Sequence, residues 1–434
     1  MQRSTCPMSN VDYEAEKQAF EAGVARHFRW NFLVNVLDGT FFWFGINFAA
    51  PSTILPLYVR HLTDSRLLIG LIATISGAGW SLPQLFTANY IERLPRKKPV
   101  AVNIGLFAER LPLLVMAVST FLFATRAPSL ALVLLFVTLA WHFLGAGLIA
   151  VAWQEMIARV IPVQYRGRLL GLANFGGTAT GILGASLAAV VLYRYPFPTN
   201  FGLCFMIAAV FILGSWVWLA LTHEPPLHSQ KPAVSFRQFW DCLPHVLRGD
   251  HNFAFYLLAR VLSVFGRMGM GFLTVYAVDR WRLSDSQAGL YTAAILAGQA
   301  ASNLALGTLA DRRGHKLVLE ISVIMGILAM VGAVLAPDPL WMYLVFASVG
   351  ALSASDILAA IGITMEFADP EDRPTYIGLA NTVPGVFALF SPMIGGWIAS
   401  YLGYPATFVT GAVFGLLAVA VLHWRVREPR KQIE

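Results

Sequence analysis

Five ionisable residues stand inside long apolar runs: Asp38, His142, Arg260, Arg267 and Asp356. Two carboxylates, two guanidiniums and an imidazole can line a wet path that holds a polar solute or passes a proton. The histidine suits proton transfer because its ordinary titration lies nearest neutrality. The same residues can instead pair permanently and only hold segments together. Arg260 and Arg267 are seven apart, which on a helix puts them on one face. Glu109 and Arg110 are also embedded, but helical neighbours one apart do not face each other, so each is expected to pair elsewhere in a structural role. The run Phe41-Phe42-Trp43-Phe44 reads as packing or lipid-facing, with an amphipathic binding surface as the alternative. No Gly-x-Ser-x-Gly, no His/Asp/Glu cluster at metal-ligand spacing and no Gly-Lys-Ser/Thr phosphate loop occurs, which speaks against a membrane enzyme and against ATP-driven chemistry. Cys6, Cys204 and Cys242 are scattered, so neither a disulfide framework nor a zinc site is expected, and no cofactor is implied.

The elements that carry these residues must be membrane helices. Of 434 residues, 57% are hydrophobic and only 13% charged. Ordinary soluble domains carry about 25% charged residues, so this chain has too few to cover a water-facing surface. Blocks such as Asn31 to Val59, Leu130 to Ala152 and Leu317 to Ala336 supply the roughly 20 apolar residues that cross about 30 Å of hydrocarbon. Pattern and turn residues predict helices at 30–59, 67–90, 99–124, 130–158, 167–193, 201–222, 252–278, 286–310, 316–336, 340–367, 375–400 and 405–424. The reading is an all-α membrane protein of twelve transmembrane helices in two pseudo-symmetric six-helix bundles. It divides into a tail 1–29, a first half 30–222, a linker 223–251, a second half 252–424 and a tail 425–434. The start is polar and mixed in charge, so no cleavable signal peptide is expected.

Charge placement sets the orientation. The termini, the linker and the loops on their side hold 22 Lys and Arg, against six in the opposite loops. By the positive-inside rule both termini are cytoplasmic, in a plasma (inner) membrane. The net charge of +7 is thus a topology signal, and no nucleic-acid partner is expected.

The halves repeat one another. A displacement of 219 residues takes Gly70-Leu71 to Gly289-Leu290, Ala78-Gly79 to Ala297-Gly298, Arg93 to Arg312 and Lys97 to Lys316. A displacement of 207 takes Arg166 and Gly171-Leu-Ala-Asn174 to Arg373 and Gly378-Leu-Ala-Asn381. Parallel six-helix repeats are an architecture of secondary transporters, with a binding site between the halves near the midplane. At 1.5 Å per residue, Asp38 and Arg260 each lie roughly 12 Å inside their helices, at equivalent depth and opposite in charge.

Gly307-Thr-Leu-Ala-Asp311-Arg312-Arg-Gly314-His315-Lys316 resembles the loop signature of the major facilitator superfamily, and Ala88-Asn-Tyr-Ile-Glu92-Arg93-Leu-Pro-Arg96-Lys97 is a degraded copy in the first half. Physically, a carboxylate beside arginines at the membrane surface can pair and unpair at modest cost, which suits a latch. Together with Glu155, Arg159, Arg166 and Arg373, these segments form the expected cytoplasmic gate. The resemblance implies that helices one, four, seven and ten line a central cavity. It further implies a secondary active transporter that moves a small organic solute by alternating access, with coupling to protons, working as a monomer among membrane lipids. The alternatives are a facilitative uniporter or lipid/amphiphile exporter of the same fold, and a non-transporting membrane sensor or scaffold. Two departures weigh against a drug–proton antiporter. Trp141 stands where such antiporters carry arginine ahead of Gly145-Ala-Gly147, and the fifth helix lacks a Gly-Pro pair.

Overall fold

The computed structural model describes residues 10–92, 94–227, 249–367 and 373–428, and every regular element in them is helical. The first half is built from α1 (Asn10–Ile46, continued by Ile54–Leu62), α2 (Arg66–Glu92), α3 (Leu111–Phe123), α4 (Pro128–Val160), α5 (Val163–Arg194) and α6 (Thr199–Ala220). The second half comprises α7 (His251–Gly266, continued by Leu273–Trp281), α8 (Ser286–Arg313), α9 (His315–Leu335), α10 (Trp341–Phe367), α11 (Arg373–Leu402) and α12 (Tyr404–Arg425). Ten spans among the described residues are long and apolar enough to cross a membrane; α8 and α10 complete the twelve. Gln287, Gln299, Ser302 and Asn303 lower the mean hydropathy of α8, whereas α10 is apolar over Trp341–Ala354.

Helix α1 starts at Asn10, twenty residues before the predicted boundary. Hydropathy marks where a helix enters the membrane, whereas backbone hydrogen bonds continue wherever propensity allows. The first helix of each half is broken at an equivalent point, by 3₁₀ turns at Asn47–Ala49 and at Met270–Phe272. Pro51 follows the first break and Gly269 precedes the second, residues that favour interruption over a continuous ladder. Ahead of α3, Val100–Ile104 and Leu106–Arg110 are π-helical, a wider turn than α.

Between apolar helices in lipid, close packing rather than water exclusion drives association, and small residues permit it. A Cβ added at Gly70 would sit 2.5 Å from the Pro392 carbonyl oxygen, so α2 meets α11 at backbone contact. A Cβ at Gly289 would sit 2.4 Å from Ala189 N, so α8 meets α5 likewise. These two seams join the halves.

The core shows how the halves sit. On the side away from the termini one apolar core runs through both, from Phe48, Tyr58 and Phe201 to Phe272, Tyr291, Phe346 and Tyr404. Among the described residues the core divides on the terminal side. Val102, Met156, Val160 and Leu219 belong to the first half alone, and Phe253, Tyr256, Leu319 and Leu422 to the second alone.

Candidate functional site

A cavity of about 490 Å³ lies where the joined core ends. It is lined by Asp38, Phe42, Trp43 and Asn47 of the first helix, Trp80 of α2, Glu109 and Arg110, His142, Phe143 and Trp153 of α4, and Thr292, Ile295 and Leu296 of α8. Its walls are therefore mainly aromatic and aliphatic, with four ionisable groups among them.

Those four groups are held from three elements. Asp38 is 5% exposed and accepts a 2.6 Å hydrogen bond from the Ser215 hydroxyl of α6. Arg110 and Glu109 are the charged groups that act on it. Glu109 and Arg110 are buried and bonded to each other, guanidinium to carboxylate. This corrects the expectation that each pairs elsewhere: the rule of non-facing neighbours holds for an α-helix, and these two residues close a π-helical turn. The Arg110 Nε lies buried with no hydrogen-bond partner, an open donor in the site. His142, 3% exposed, donates from Nδ1 to the Glu109 carbonyl oxygen at 2.6 Å, because a carbonyl can only accept. In the neutral ring Nε2 is then the acceptor.

Glycines set these distances. A Cβ at Gly145 would fall 1.9 Å from the Ala108 carbonyl oxygen, so α4 crosses the π-helical segment backbone to backbone. That crossing puts His142, one turn earlier, against Glu109. A Cβ at Gly105 would fall 2.9 Å from Arg110 Nη1, so the missing side chain makes room for the guanidinium. The register of α4 turns His142 inward and leaves Trp141 39% exposed.

The other predicted residues are placed differently. Arg267 lines two smaller crevices in and beside the second half, one with Ser263 and Val323, one with Gly70 and Pro392. Arg260 is half-buried on α7 and is not among the residues lining the 490 Å³ cavity, so the equal depth of Asp38 and Arg260 does not bring them together there. Asp356 lies outside the described side chains, as do Glu92, Arg93, Arg166, Gly307, Asp311, Arg312 and Arg373 of the expected gate. Gly314 adopts φ +92°, where glycine is favoured, and starts α9. Lys316 donates to the His423 carbonyl at 3.2 Å and pairs with Glu320 at 3.6 Å. Glu155 is exposed, and Arg159 donates to the carbonyls of Pro95 and Leu227 at 3.1 and 3.3 Å. The aromatic run divides: Phe42 and Trp43 line the cavity, whereas Phe41 packs on Phe211 and Trp218, and Phe44 on Phe48.

Contacts between the halves close the cavity on the side away from the termini. Thr53 and Thr292 share a 2.5 Å hydroxyl contact, and Thr274 donates to the Ser52 carbonyl at 3.3 Å. Beyond them Arg60 pairs with Asp279, and His61 with Asp285 at 2.7 Å. The Arg66 guanidinium lies 4.5 Å over the Tyr404 ring. None of these pairs was legible in sequence, since each links residues more than 200 positions apart.

Comparison with known proteins agrees with this architecture. The sequence profile described as Major Facilitator Superfamily matches residues 37–280 and 256–434. "Magnetosome protein MamH" of Paramagnetospirillum magneticum is 22% identical over 245 residues, covering 55% of this chain and 57% of that protein. "Multidrug resistance protein MdtL" of Vibrio parahaemolyticus is 27% identical over 139 residues, 32% of this chain and 35% of that one. The matched stretch thus spans little more than half of the first relative and about a third of the second. Among solved structures, a nucleoside transporter, NupG, superposes with a TM-score of 0.65 at 13% identity, covering 91% of this chain and 99% of that one. A D-xylose-proton symporter superposes at 0.63 and 16% identity, covering 93% and 99%. At these identities the likeness is one of fold.

Proposed function

The chain belongs to the major facilitator superfamily, and on that premise we propose that it is a secondary active transporter that moves a small organic solute by alternating access, coupled to protons. The observation that carries the reading is the buried set Asp38, Glu109, Arg110 and His142 on a cavity whose walls come from both halves. A charge in the bilayer is costly unless paired or used. Here Glu109 and Arg110 are paired with each other, which leaves Asp38 and His142 as the groups free to exchange a proton as the cavity changes access. The termini face the cytoplasm of a plasma membrane, by the distribution of Lys and Arg. The described conformation, sealed away from the termini, is then closed toward the outside. The transporting unit is a single chain.

The walls favour one variant of this reading, an amphiphile exporter. Phe42, Trp43, Trp80, Phe143 and Trp153 offer aromatic faces to a substrate with an apolar body. The similarity to a protein named for multidrug resistance is in keeping with it.

The test begins with a thermal-shift screen of the purified protein against a solute library at two pH values. A stabilising solute is then assayed in proteoliposomes for counterflow and for accumulation driven by a pH gradient. Asp38→Asn is expected to abolish accumulation while solute exchange persists. Accumulation by Asp38→Asn equal to the parent's would refute coupling through Asp38, and absence of counterflow for every stabilising solute would refute transport.

A further inference from the structure

A second recess, of about 570 Å³, lies on the terminal side of the first half, away from the central cavity. Gly23 and His27 of α1 form one wall, Arg96, Lys98 and Asn103 at the start of the third span another, and Thr222 to Pro225, just after α6, the third. A Cβ at Gly23 would meet Pro225 Cγ at 2.8 Å, so α1 and the start of the linker touch directly. His27 and His223 stack across the recess, with ring centroids 4.6 Å apart and planes 3° from parallel.

The charge facing this recess is one-sided. Among the described residues Glu224 is its one lining acid, and its carboxylate is already engaged. It accepts from the backbone nitrogens of Lys97 at 3.0 and 2.8 Å and of Lys98 at 2.7 Å, with Arg159 4.0 Å away. What remains of the charge is Arg96 and Lys98. Burial draws the Lys98 ammonium below its ordinary range; Glu224 opposes the shift and Arg96 adds to it. A lysine partly stripped of water beside a second cation is a group that an anion would stabilise.

The surroundings say which anion. The recess opens directly beside large apolar side chains: Trp30, three residues from His27, is 43% exposed; Ile104, next to Asn103, is 49% exposed; Leu221, next to Thr222, is 40% exposed. The Trp30 indole donates to the Leu221 carbonyl at 3.0 Å, the position a tryptophan takes at a membrane–water boundary. Cations above and an apolar strip below match a phosphate headgroup with acyl chains.

We propose that this recess binds the headgroup of an anionic phospholipid and thereby clips the start of the linker to α1 and to the third span. The pseudo-equivalent position in the second half is not built for it, because Leu317 stands where the first half has Lys98.

The full-length protein in neutral detergent is incubated with dioleoyl phosphatidylglycerol, dioleoyl phosphatidylcholine or inorganic phosphate, and retained ligand is counted by native mass spectrometry alongside the unfolding temperature. Phosphatidylglycerol is expected to be retained and to raise the unfolding temperature, and phosphatidylcholine to do neither. Each basic group near an anionic lipid is worth about a five-fold factor, so Arg96→Gln with Lys98→Gln should weaken retention roughly 25-fold. Should that pair fail to purify, Arg96→Gln alone, at an exposed position, should weaken it about five-fold. Equal retention of both lipids, no retention, or retention unchanged in the variants overturns the site. Protection by inorganic phosphate equal to that by phosphatidylglycerol makes it a free-anion site and overturns the lipid assignment.

Discussion

The two halves can be compared at their terminal-side ends and at their centres. At the ends they use the same residues in the same way. In the first half Asn31 brackets His223, three residues past the end of α6, accepting from His223 N at 2.8 Å and donating to His223 O at 2.9 Å. In the second, Asn252 brackets Arg427, accepting at 2.7 Å and donating at 3.1 Å. The following residue is glutamate in both, Glu224 before Pro225 and Glu428 before Pro429. Glu224 accepts from Lys97 N, and Glu428 from Lys316 N at 3.3 Å. Each half thus ties its first, third and sixth helices together by one device, which satisfies the open N–H groups at the start of the third.

At the centre the likeness ends. The 219-residue displacement takes Glu109 and Arg110 to Leu328 and Ala329, an exposed apolar residue and a small buried one. The 221 residues that separate Asn31 from Asn252 take Asp38 to Ala259. Scaffold was kept in duplicate, while the described buried ionisable cluster stands in one half. A frame needs symmetry to let two bundles rock against each other, whereas a site near their boundary needs its charge only once.

The strongest way to break this comparison is to give the first half the second half's residues. Glu109→Leu with Arg110→Ala should fold, because removing both partners of a buried pair is near neutral, and should lose transport. Arg110→Ala alone strands Glu109 and should cost about 3–5 kcal/mol in thermal or denaturant unfolding. A double variant that transports like the parent would place the chemistry elsewhere.

Next in size is the helix crossing. Gly145→Ala drives a methyl into the Ala108 carbonyl and should cost about 1–3 kcal/mol. Gly326→Ala, in α9 facing α10, meets Leu352 at 3.5 Å and Met270 Cε at 3.9 Å, both ordinary contacts, and should be tolerated. Equal unfolding midpoints for the two variants would remove the close crossing as the reason for His142's position.

Smaller still are the brackets. Asn31→Ala and Asn252→Ala should each cost about 1–2 kcal/mol, from the loss of paired backbone bonds. A large inequality between them would show that the duplication is one of geometry and not of energy.

The least effect is expected from the outer pairs. Arg60 and Asp279 are 35% and 37% exposed, so Arg60→Gln should change stability by about 0–1 kcal/mol. A cysteine introduced at Ser52 should nonetheless label faster from the side away from the termini in that variant. Unchanged labelling would show that the core between the halves, not the pairs, holds that side shut.

Some of this was legible beforehand and some was not, for definite reasons. The duplicated Glu-Pro after the sixth helix of each half, with an asparagine early in the first, was a signal present in the sequence; short polar matches in loops carry little weight without a fold to connect them. Ser215 gave no signal, being one hydroxyl in an apolar helix. Glu109 and Arg110 read as buried charges in the sequence, but spacing rules, which presume an α-helical turn, point them away from each other.

The sequence by itself determined the twelve helices, the division into halves, the repeat and the family, because span length, hydropathy and loop motifs are properties of contiguous residues. Only the tertiary structure decided that Asp38 shares a cavity with Glu109, Arg110 and His142, and that the halves close on the side away from the termini. Each residue along a helix turns the side chain by about 100°, so a buried charge's partner depends on the rotation and approach of a neighbouring helix. Those are fixed by contacts such as Gly145 on Ala108 and Gly70 on Pro392, made between segments tens to hundreds of residues apart.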